Sequence, residues 1–434
     1  MGCILKYKYN HKSVSLRLLH PALAPAPRLS RGRLAVLGLG YVGRPLALGA
    51  AAAGYEVIGY DPAPEARWLA NAGCDPGPGS FQASADPAAL SGADTWLICV
   101  PTPLDARGRP DLTAVRAALG IAGRGLKPGA LVCLVSTCQP GATNGLCRIV
   151  LEEAGWCVGR DVFLAVSPER ENPGPHAPPT RSIPRLLGAT DDASLRRALA
   201  FWRHIVDQIE VVASPEVAEC AKLLENTYRL VNIALMDELH AAFTALGVAT
   251  RDVVAAAATK PFGFAPFWPG LGAGGHCIPV DPAFLQMEAA RVGAPSKLLA
   301  KALSRNRGRV ARVMAHIRAR LGDDLEGKRL LVAGVTYKPN VADLRAAAPL
   351  RLLNHLQHAR AEIAWHDPVL STVPEVLSGI PRSLSLTMPD GARPDALVLG
   401  TPHRAFDLAA MTRTAPLVFD PFGILPVGPN VVVV

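Results

Sequence analysis

The amino-acid sequence predicts an α/β protein with two parallel-sheet domains, joined by a long central helix and a helical middle domain. Three features of the pattern lead to this prediction. Between Arg33 and about Val212, short apolar runs alternate with helical stretches rich in Ala and Leu, as in a parallel sheet with covering helices. From Pro215 to about Leu246 the chain has no internal Gly or Pro, which predicts one long helix that begins at a favoured first-turn proline. Near Gly327 the alternation of strand and turn returns, which indicates a second sheet.

The predicted strands divide the chain into four segments. A basic tail covers residues 1–32, a first α/β domain 33–213, a helical middle domain 214–320 and a second α/β domain 321–434. Strands are expected in the first sheet at Thr95–Val100, Ala130–Val135 and Val162–Val166, and in the second at Lys328–Gly334, Glu362–His366, Ala396–Leu399 and Leu417–Phe419.

Composition excludes several classes of function. Half of the 434 residues are apolar and 19% are charged, which is enough apolar content for two or three sizeable cores. The net charge of +9 is spread along the chain without interleaved aromatic residues, so we expect a phosphate-bearing ligand and no nucleic acid. No apolar run reaches the ~18 residues of a membrane span, so no membrane contact is expected. The nine cysteines lack the spacing of a metal site or a disulfide framework, which favours a reducing cytoplasm and predicts no metal.

Residues 1–32 differ from the rest of the chain. They are rich in Lys and Arg, and residues 21–27 form a stretch rich in Pro and Ala. Arg17 and His20 interrupt the apolar stretch, which argues against a signal peptide. We interpret the segment as a disordered tail or as the product of an assumed translation start, and a functional basic tail is the alternative.

The folded part begins with a dinucleotide fingerprint. The apolar run from Arg33 to Leu37 leads into the glycine turn Gly38-Leu39-Gly40-Tyr41-Val42-Gly43, and an Ala-rich helix follows. Glycines there allow a tight turn, close approach of pyrophosphate to the backbone and close helix packing. Asp61 ends the next apolar strand, 18 residues after Gly43, where a carboxylate accepts hydrogen bonds from an adenosine ribose. These features predict a Rossmann-like domain that binds NAD in preference to NADP.

A second informative segment is Gly274-Gly275-His276-Cys277-Ile278-Pro279-Val280-Asp281. Two glycines permit close approach to a ligand, a cysteine follows, and an aspartate lies four residues beyond the cysteine. This arrangement suits a nucleophilic thiol on a rigid turn beside a charged group. The alternative is a buried structural cysteine.

Polar residues follow three predicted strands of the first sheet. Thr102 comes after the first of them, Ser136-Thr137 after the second, and Ser167-Pro168-Glu169-Arg170 after the third. Open parallel sheets bind ligands at this edge, although each turn taken alone fits capping chemistry. In the long helix, Lys222 and Asn226 are four residues apart and share a face. Because neighbouring positions are apolar, we expect this face to be buried, where a Lys and an Asn need partners.

Together these motifs resemble those of the UDP-glucose/GDP-mannose dehydrogenase family, and the resemblance covers residues 33–434. It is strongest to the UDP-N-acetyl-D-glucosamine 6-dehydrogenase branch, because of the segment from Lys260 to Trp268, the His-Cys-Ile-Pro turn and the stretch 167–174. A lysine is usual in UDP-glucose enzymes where this chain has Val280. The motifs that carry the resemblance are Gly38–Gly43, Val100–Pro103, Ser136-Thr137, Ser167–Arg170, Lys222–Asn226, Gly274–Asp281 and Gly334–Arg345.

The resemblance implies a four-electron oxidation of a sugar C6 alcohol to a carboxylate with NAD, through a thiohemiacetal and a thioester on Cys277. It implies that Lys222 stabilises oxyanions, that Asn226 orients the reacting oxygen, and that Asp281 manages protons. Glu169 is the expected base for thioester hydrolysis, and Thr137 is expected to order the water. The implied cofactor contacts are Gly38, Gly40, Tyr41, Val42, Gly43, Asp61, Thr102, Thr137 and Arg345. The implied contacts with the UDP-sugar are Glu169, Arg170, Lys222, Asn226, Lys260, Phe262, Trp268, Gly274 and Lys338.

Several points stay open at this stage. UDP-N-acetylglucosamine is the expected substrate, with the galactosamine and mannosamine epimers and UDP-glucose as alternatives. A two-electron hydroxy-acid dehydrogenase and a catalytically silent NAD-binding protein are the rival classes. Ala346-Ala347 replaces the usual Glu-Ser, which puts closure of the second domain in doubt, and the segment 71–84 is shorter than usual. Apolar residues on more than one face of the long helix predict a homodimer or a higher homo-oligomer.

Overall fold

The computed structural model describes residues 31–64, 66–67, 77–171, 174 and 178–434. Most of the predicted basic tail, residues 1–30, and residues 71–76 of the shortened segment lie outside the described residues. The described part contains an eight-stranded sheet, a helical region and a five-stranded sheet. The α/β fold class is therefore confirmed.

The eight-stranded sheet has the order β3-β2-β1-β4-β5-β6-β7-β8. Its first six strands in sequence are parallel, and they follow the strand order 3-2-1-4-5-6 of a doubly wound dinucleotide-binding domain. The strands are β1 Arg33–Leu37, β2 Glu56–Tyr60, β3 Ser80–Ser84, β4 Thr95–Ile98, β5 Leu131–Leu134, β6 Phe163–Val166, β7 Arg185–Ala189 and β8 Ile209–Val211. The helices of this part are α1 Gly43–Ala52, α2 Thr113–Gly125, α3 Arg148–Glu153 and α4 Asp192–Trp202.

One pairing in this sheet was not expected, because β7 runs antiparallel to β6. A parallel neighbour needs a crossover, usually a helix. The described part of the connection between β6 and β7 contains only the single 3₁₀ turn Thr180–Ser182. The chain therefore returns along the sheet edge, and β8 then pairs parallel to β7.

The helical region begins with α5, Pro215–Ala245, which has 31 residues. It continues with α6 Thr250–Ala258, α7 Asp281–Arg291, α8 Lys297–Arg307 and α9 Arg309–Leu321. The second sheet has the order β10-β9-β11-β12-β13 and is parallel throughout. Its elements are β9 Arg329–Ala333, α10 Ala348–His358, β10 Glu362–His366, β11 Ala396–Leu399, α11 Leu408–Met411, β12 Leu417–Asp420 and β13 Val431–Val433.

Two buried carboxylates hold α5 in place at both ends. Near its start, Glu219 accepts hydrogen bonds from the backbone of Gly141 (2.6 Å) and from the Thr143 hydroxyl (2.6 Å). Near its end, Asp237 lies 2.5 Å from Arg309 and 2.9 Å from Arg312, both on α9. The side chains between these two points are therefore fixed relative to both the first sheet and the helices that lead to the second.

Candidate active site

The glycine turn after β1 has the shape that a pyrophosphate needs. Gly38 has φ 92°, and a Cβ on it would lie 2.6 Å from the Cys99 carbonyl oxygen. A Cβ on Gly43 would lie only 1.8 Å from the Gly38 carbonyl oxygen, so the first turn of α1 packs directly on the strand. A Cβ on Gly40, in contrast, would meet no atom within 4 Å. The turn is thus closed by Gly38 and Gly43 and open at Gly40, where a phosphate can approach the start of α1.

Asp61 lies beside this turn, at the end of β2. One of its carboxylate oxygens accepts the backbone N–H of Leu39 at 2.9 Å, and the other accepts that of Ala63 at 2.9 Å. A carboxylate has about four acceptor positions, so Asp61 can still accept ribose hydroxyls. The residues present therefore fit a dinucleotide whose adenosine ribose carries no 2′-phosphate.

Arg345, from the loop between β9 and α10, reaches the same turn. Its guanidinium carbon lies 4.4 Å from the centre of the exposed Tyr41 ring, and Asp343 holds the guanidinium at 2.7 Å. Its place above the glycine turn is the one expected for a contact with the NAD pyrophosphate. Two more predicted cofactor residues lie at this sheet edge, since buried Thr102 follows β4 and half-buried Thr137 follows β5.

Four predicted catalytic side chains form two contacts beside Cys277. The Lys222 ammonium lies 3.1 Å from a Glu169 carboxylate oxygen, and both side chains are buried. The Asn226 amide donates to Asp281 at 2.6 Å. The Cys277 carbonyl accepts the backbone N–H of Asp281 at 2.9 Å, so the cysteine turn leads directly into α7. The structure therefore brings together residues from β6, α5 and the cysteine turn that are far apart in the sequence.

Burial and neighbouring charges set the protonation of this cluster. Burial raises the pKa of Asp281 to about 6, against the opposing effects of Lys222 and Asn226. Burial, and then the Asp281 charge, raise the pKa of the Cys277 thiol to about 11, although Lys222 acts to lower it. Burial acts to lower the pKa of Lys222, but Glu169, Asp281 and Cys277 outweigh it and the pKa is raised. At neutral pH the site therefore holds a charged lysine and a protonated thiol.

The second domain packs closely on the two glycines before the cysteine. A Cβ on Gly274 would lie 2.7 Å from the Ala346 carbonyl oxygen, and one on Gly275 would lie 2.9 Å from the Tyr337 ring. The Gly275 N–H donates to the Arg345 carbonyl at 3.0 Å. Ala346 has φ 47°, a left-handed conformation that is unusual for alanine. The loop that carries Ala346-Ala347 thus contacts the cysteine turn directly.

Some of the predicted substrate residues lie at or near a cavity, and others lie away from it. A cavity of about 170 Å³ lies between α5 and the second sheet, and it is lined in part by Trp268, Ala273 and Tyr337. Lys338 follows Tyr337 on the same loop, and burial lowers its pKa, as does Arg229. Arg170 forms an ion pair with Glu225 of α5 at 2.7 Å. Trp268 and Tyr337 thus line the space between α5 and the second sheet, whereas the role of Arg170 in substrate binding stays a prediction.

Lys260 and Phe262 are not brought to the cluster. The Lys260 ammonium lies 4.8 Å from the centre of the Phe262 ring, and that ring is 69% exposed. No contact of either side chain with the Cys277 cluster is found among the described residues. Their role in substrate binding stays a prediction.

Sequence reasoning missed three residues of the site. Tyr337 packs on Gly275, Asp343 holds Arg345, and His276 has a buried ring nitrogen beside the cysteine turn. Tyr337 and Asp343 lie inside the motif Gly334–Arg345, and His276 lies inside the motif around Cys277. The motifs therefore contained all three residues, but the direction in which each side chain points depends on tertiary packing.

The fold and the glycine turn define a dinucleotide-dependent oxidoreductase. Comparison with known families agrees, because three models of one family match in order along the chain. The NAD binding domain of the UDP-glucose/GDP-mannose dehydrogenase family matches residues 77–206, the central domain 216–308 and the UDP binding domain 331–426. The chain belongs to the UDP-glucose/GDP-mannose dehydrogenase family. It is an NAD-dependent UDP-sugar dehydrogenase, as the sequence motifs predicted.

Individual relatives differ in the sugar that their names specify. The chain is 33% identical to the UDP-N-acetyl-D-glucosamine 6-dehydrogenase of Pseudomonas aeruginosa over 354 residues, which cover 78% of this chain and 83% of that protein. It is 29% identical to the UDP-N-acetyl-D-mannosamine dehydrogenase of Pyrococcus horikoshii, over 86% of this chain and 90% of the relative. The solved structure of a UDP-glucose dehydrogenase from Pyrobaculum islandicum aligns with a TM-score of 0.80 at 26% identity, over 92% of this chain and 96% of that one. In the described part of this chain, no helix has the length and apolar character needed to cross a membrane.

Proposed function

We propose that the protein oxidises the C6 alcohol of a UDP-N-acetylhexosamine, first UDP-N-acetylglucosamine, to the uronate through a thioester on Cys277. The product would serve as a precursor for a surface polysaccharide. One observation carries this proposal: Cys277 lies in a turn beside both the Lys222–Glu169 contact and the Asn226–Asp281 contact. The name of the Pseudomonas aeruginosa relative supports the choice of sugar.

NAD, when bound, accepts a hydride from C6 in each of two oxidations. In the first, Asn226 orients the C6 hydroxyl and Asp281 takes its proton as the alcohol becomes an aldehyde. Asp281 is suited to this exchange because its pKa, about 6, lies close to neutral pH. Lys222, which remains charged, stabilises negative charge on the C6 oxygen.

The thiol then makes the second oxidation possible. Once Asp281 has released the first proton to solvent, it takes the thiol proton and sulfur bonds to C6. Asp281 then passes that proton to the carbonyl oxygen, which becomes the hydroxyl of a thiohemiacetal. A second hydride would pass from C6 to NAD and the hydroxyl proton to Asp281, which gives the thioester. Water, ordered by Thr137 and deprotonated by Glu169, then adds to the carbonyl and the carbon–sulfur bond breaks. Asp281 returns its proton to the sulfur, and the carboxylate leaves.

The experiment that tests this proposal counts NADH per sugar consumed. We expect two NADH per UDP-N-acetylglucosamine, and lower catalytic efficiency with UDP-N-acetylgalactosamine, UDP-N-acetylmannosamine and UDP-glucose. One NADH per sugar would favour a two-electron dehydrogenase. No turnover with any of the four would contradict the proposed substrate class.

The variant Cys277→Ser tests the contribution of the thiol, because it removes the thiol and leaves the other residues of the site in place. A hydroxyl is a far poorer nucleophile than a thiol at neutral pH, so we expect this variant to stop before the uronate. Cys220→Ser, at an exposed position of α5, is the matched control and should retain full turnover. Uronate formation by Cys277→Ser at the rate of the unmodified protein would remove Cys277 from the mechanism.

The same helix supports the proposal of a homodimer. Val217, Leu224, Tyr228 and Leu235 are 45%, 60%, 53% and 49% exposed. At about 100° per residue these four positions fall within roughly 40° of one another, on a single face of α5. Asn226 lies on the opposite face. A second copy that covers the exposed stripe would therefore hold α5 from behind and leave the catalytic face free.

Sedimentation at micromolar concentration tests the dimer. We expect a dimer or a multiple of it, and we expect Leu224→Glu to shift the protein toward the monomer. Glu238→Gln, at an exposed position of the same helix, is the control. A fully active monomer of the unmodified protein would contradict the proposal.

We also propose the cytoplasm as the site of action and the domain boundaries at 213/214 and 320/321. Every cysteine in the described part is a free thiol, which supports a reducing compartment. The three family-model ranges fall inside the three folded segments that these boundaries separate.

A further inference from the structure

His276, which directly precedes Cys277, has a buried ring nitrogen that the protein does not satisfy. Its Nε2 atom is inaccessible to solvent, and no hydrogen-bond partner for it exists among the described residues. A buried polar atom without a partner costs free energy, so such atoms in folded proteins call for an explanation. At the edge of a ligand site, the simplest explanation is an atom of the ligand.

The surroundings of His276 indicate which ligand lies there. The charged groups that act on its pKa are Arg345, Glu169, Asp343 and Lys222. Arg345 stands over the glycine turn, where the pyrophosphate is expected, whereas Glu169 and Lys222 belong to the cluster beside the thiol. His276 is therefore close enough to both groups for their charges to act on it. In a bound dinucleotide, the ribose that carries the nicotinamide occupies the interval between the pyrophosphate and the reacting carbon.

The chemistry of the ring agrees with a hydroxyl partner. Burial, and then the charge of Arg345, lower the pKa of His276, so the imidazole is neutral at neutral pH. A neutral imidazole has one N–H and one lone pair, and a ribose hydroxyl can accept from the first or donate to the second. A phosphate oxygen would instead favour a protonated ring.

We propose that His276 Nε2 forms a hydrogen bond with a hydroxyl of the nicotinamide ribose of NAD and so positions the nicotinamide over C6. The inference rests on the proposed function for the place of the nicotinamide ring beside Cys277. It makes His276 a cofactor-binding residue whose loss weakens NAD binding before any sugar is present.

The test measures equilibrium binding of three probes, NADH, ADP-ribose and ADP, without sugar, by fluorescence or calorimetry. The proteins compared are the unmodified chain, His276→Ala and His276→Gln, whose amide reaches about as far as Nε2. His355→Ala, at an exposed position of α10, is the control. If His276→Ala does not fold, His276→Met, which keeps much of the side-chain volume without a nitrogen, takes its place.

We expect His276→Ala to bind NADH and ADP-ribose roughly three- to tenfold more weakly, as for the loss of one hydrogen bond, and to bind ADP unchanged. His276→Gln should recover part of the loss. Weaker NADH binding with unchanged ADP-ribose binding would assign His276 to the nicotinamide instead and overturn the proposal. Equal weakening of all three probes would assign it to the pyrophosphate or to general structure, and no change in any probe would remove it from the cofactor site.

These results do not depend on the proposed reaction. Binding of NADH is measured without turnover, whereas the reaction stands or falls on the NADH count and on Cys277→Ser. A failure of one is therefore distinguishable from a failure of the other.

Discussion

Replacing Asp281 with asparagine is expected to make Cys277 more reactive toward an alkylating reagent while it abolishes formation of the uronate. The two effects oppose each other because Asp281 acts on the thiol in two ways. Its negative charge is, after burial, the largest cause of the raised pKa of Cys277. The same carboxylate is the proposed acceptor of the thiol proton.

The magnitude follows from the pKa of Cys277. A rise from 9.0 to about 11 lowers the thiolate fraction about a hundredfold at every pH below 9. A neighbouring charge changes a pKa by about 1 or more, so neutralising Asp281 should increase the thiolate fraction by about tenfold or more. At pH 8 Asp281 is ionised in the unmodified protein, because its pKa is about 6.

The assay is the rate of iodoacetamide labelling between pH 6.5 and 9.5 (an interval chosen to bracket an ordinary thiol pKa of about 8.5), followed by mass spectrometry of the Cys277 peptide. Cys220, which is exposed, serves as a reference in the same digest. Glu288→Gln, on the same helix as Asp281 but paired with Arg291, is the control variant. We expect Cys277 to label more slowly than Cys220 in the unmodified protein, and faster in Asp281→Asn than in Glu288→Gln.

Two results would refute this reasoning. Labelling of unmodified Cys277 with a midpoint below pH 8 would show that the resting thiol is already ionised. An unchanged rate in Asp281→Asn would show that the charge of Asp281 does not reach the sulfur.

Three further predictions concern the cofactor, the pH dependence and the stability of the fold. NAD⁺ should be preferred over NADP⁺, because the Asp61 carboxylate repels a 2′-phosphate. Asp61→Ala should lower the ratio of kcat/KM for NAD⁺ to kcat/KM for NADP⁺. Equal kcat/KM with both cofactors in the unmodified protein would contradict the assignment of Asp61. The value of kcat/KM should fall as the pH drops through about 6, because protonated Asp281 cannot accept a proton, and a profile that stays flat down to pH 5 would exclude that role. Asp237→Ala should lower the free energy of unfolding in urea by about 3–5 kcal/mol, because it leaves buried Arg309 without its carboxylate, whereas Asp323→Ala, at an exposed position, should change it little.

Asp281 also affects stability with a definite sign. Its folded pKa, about 6, lies above the ordinary 3.8, so the folded state holds this proton more tightly than the unfolded state. Its stabilising contribution is complete below the unfolded pKa and is lost as the pH rises through about 6. Activity and this part of the stability therefore change in opposite directions between pH 4 and 7.

Most of the fold could be predicted from apolar periodicity and punctuation by Gly and Pro. Pro215 marked the start of α5, and the strands Glu362–His366 and Ala396–Leu399 were predicted with the bounds that the structure shows. The strands β3, β7, β8 and β13 were missed. Ile209–Val211 has only three residues, and the antiparallel turn at β7 depends on how the chain packs at a sheet edge, which local periodicity does not report.

The candidate catalytic residues could be named from motifs, but their contacts could not. Lys222 and Asn226 share a helix face by spacing alone, which the sequence shows. That Lys222 meets Glu169 and Asn226 meets Asp281 depends on the packing of α5 against β6 and α7. The unsatisfied nitrogen of His276 is likewise a property of tertiary structure, because the same residue would be satisfied by water on an open loop.

The charges of the cluster explain why a carboxylate with a pKa near neutral pH suits the proposed chemistry. The positive charge of Lys222 is paired with the Glu169 carboxylate, which lies 3.1 Å away. Burial is the largest cause of the raised pKa of Asp281, about 6, while Lys222 and Asn226 act to lower it and the charge of Glu169 acts to raise it. In the proposed mechanism the thiol gives its proton to Asp281, so the negative charge would move to the sulfur and the total charge of the site would not change. The resting site therefore already contains a buried negative charge. Formation of the carbon–sulfur bond would only move that charge from Asp281 to the sulfur.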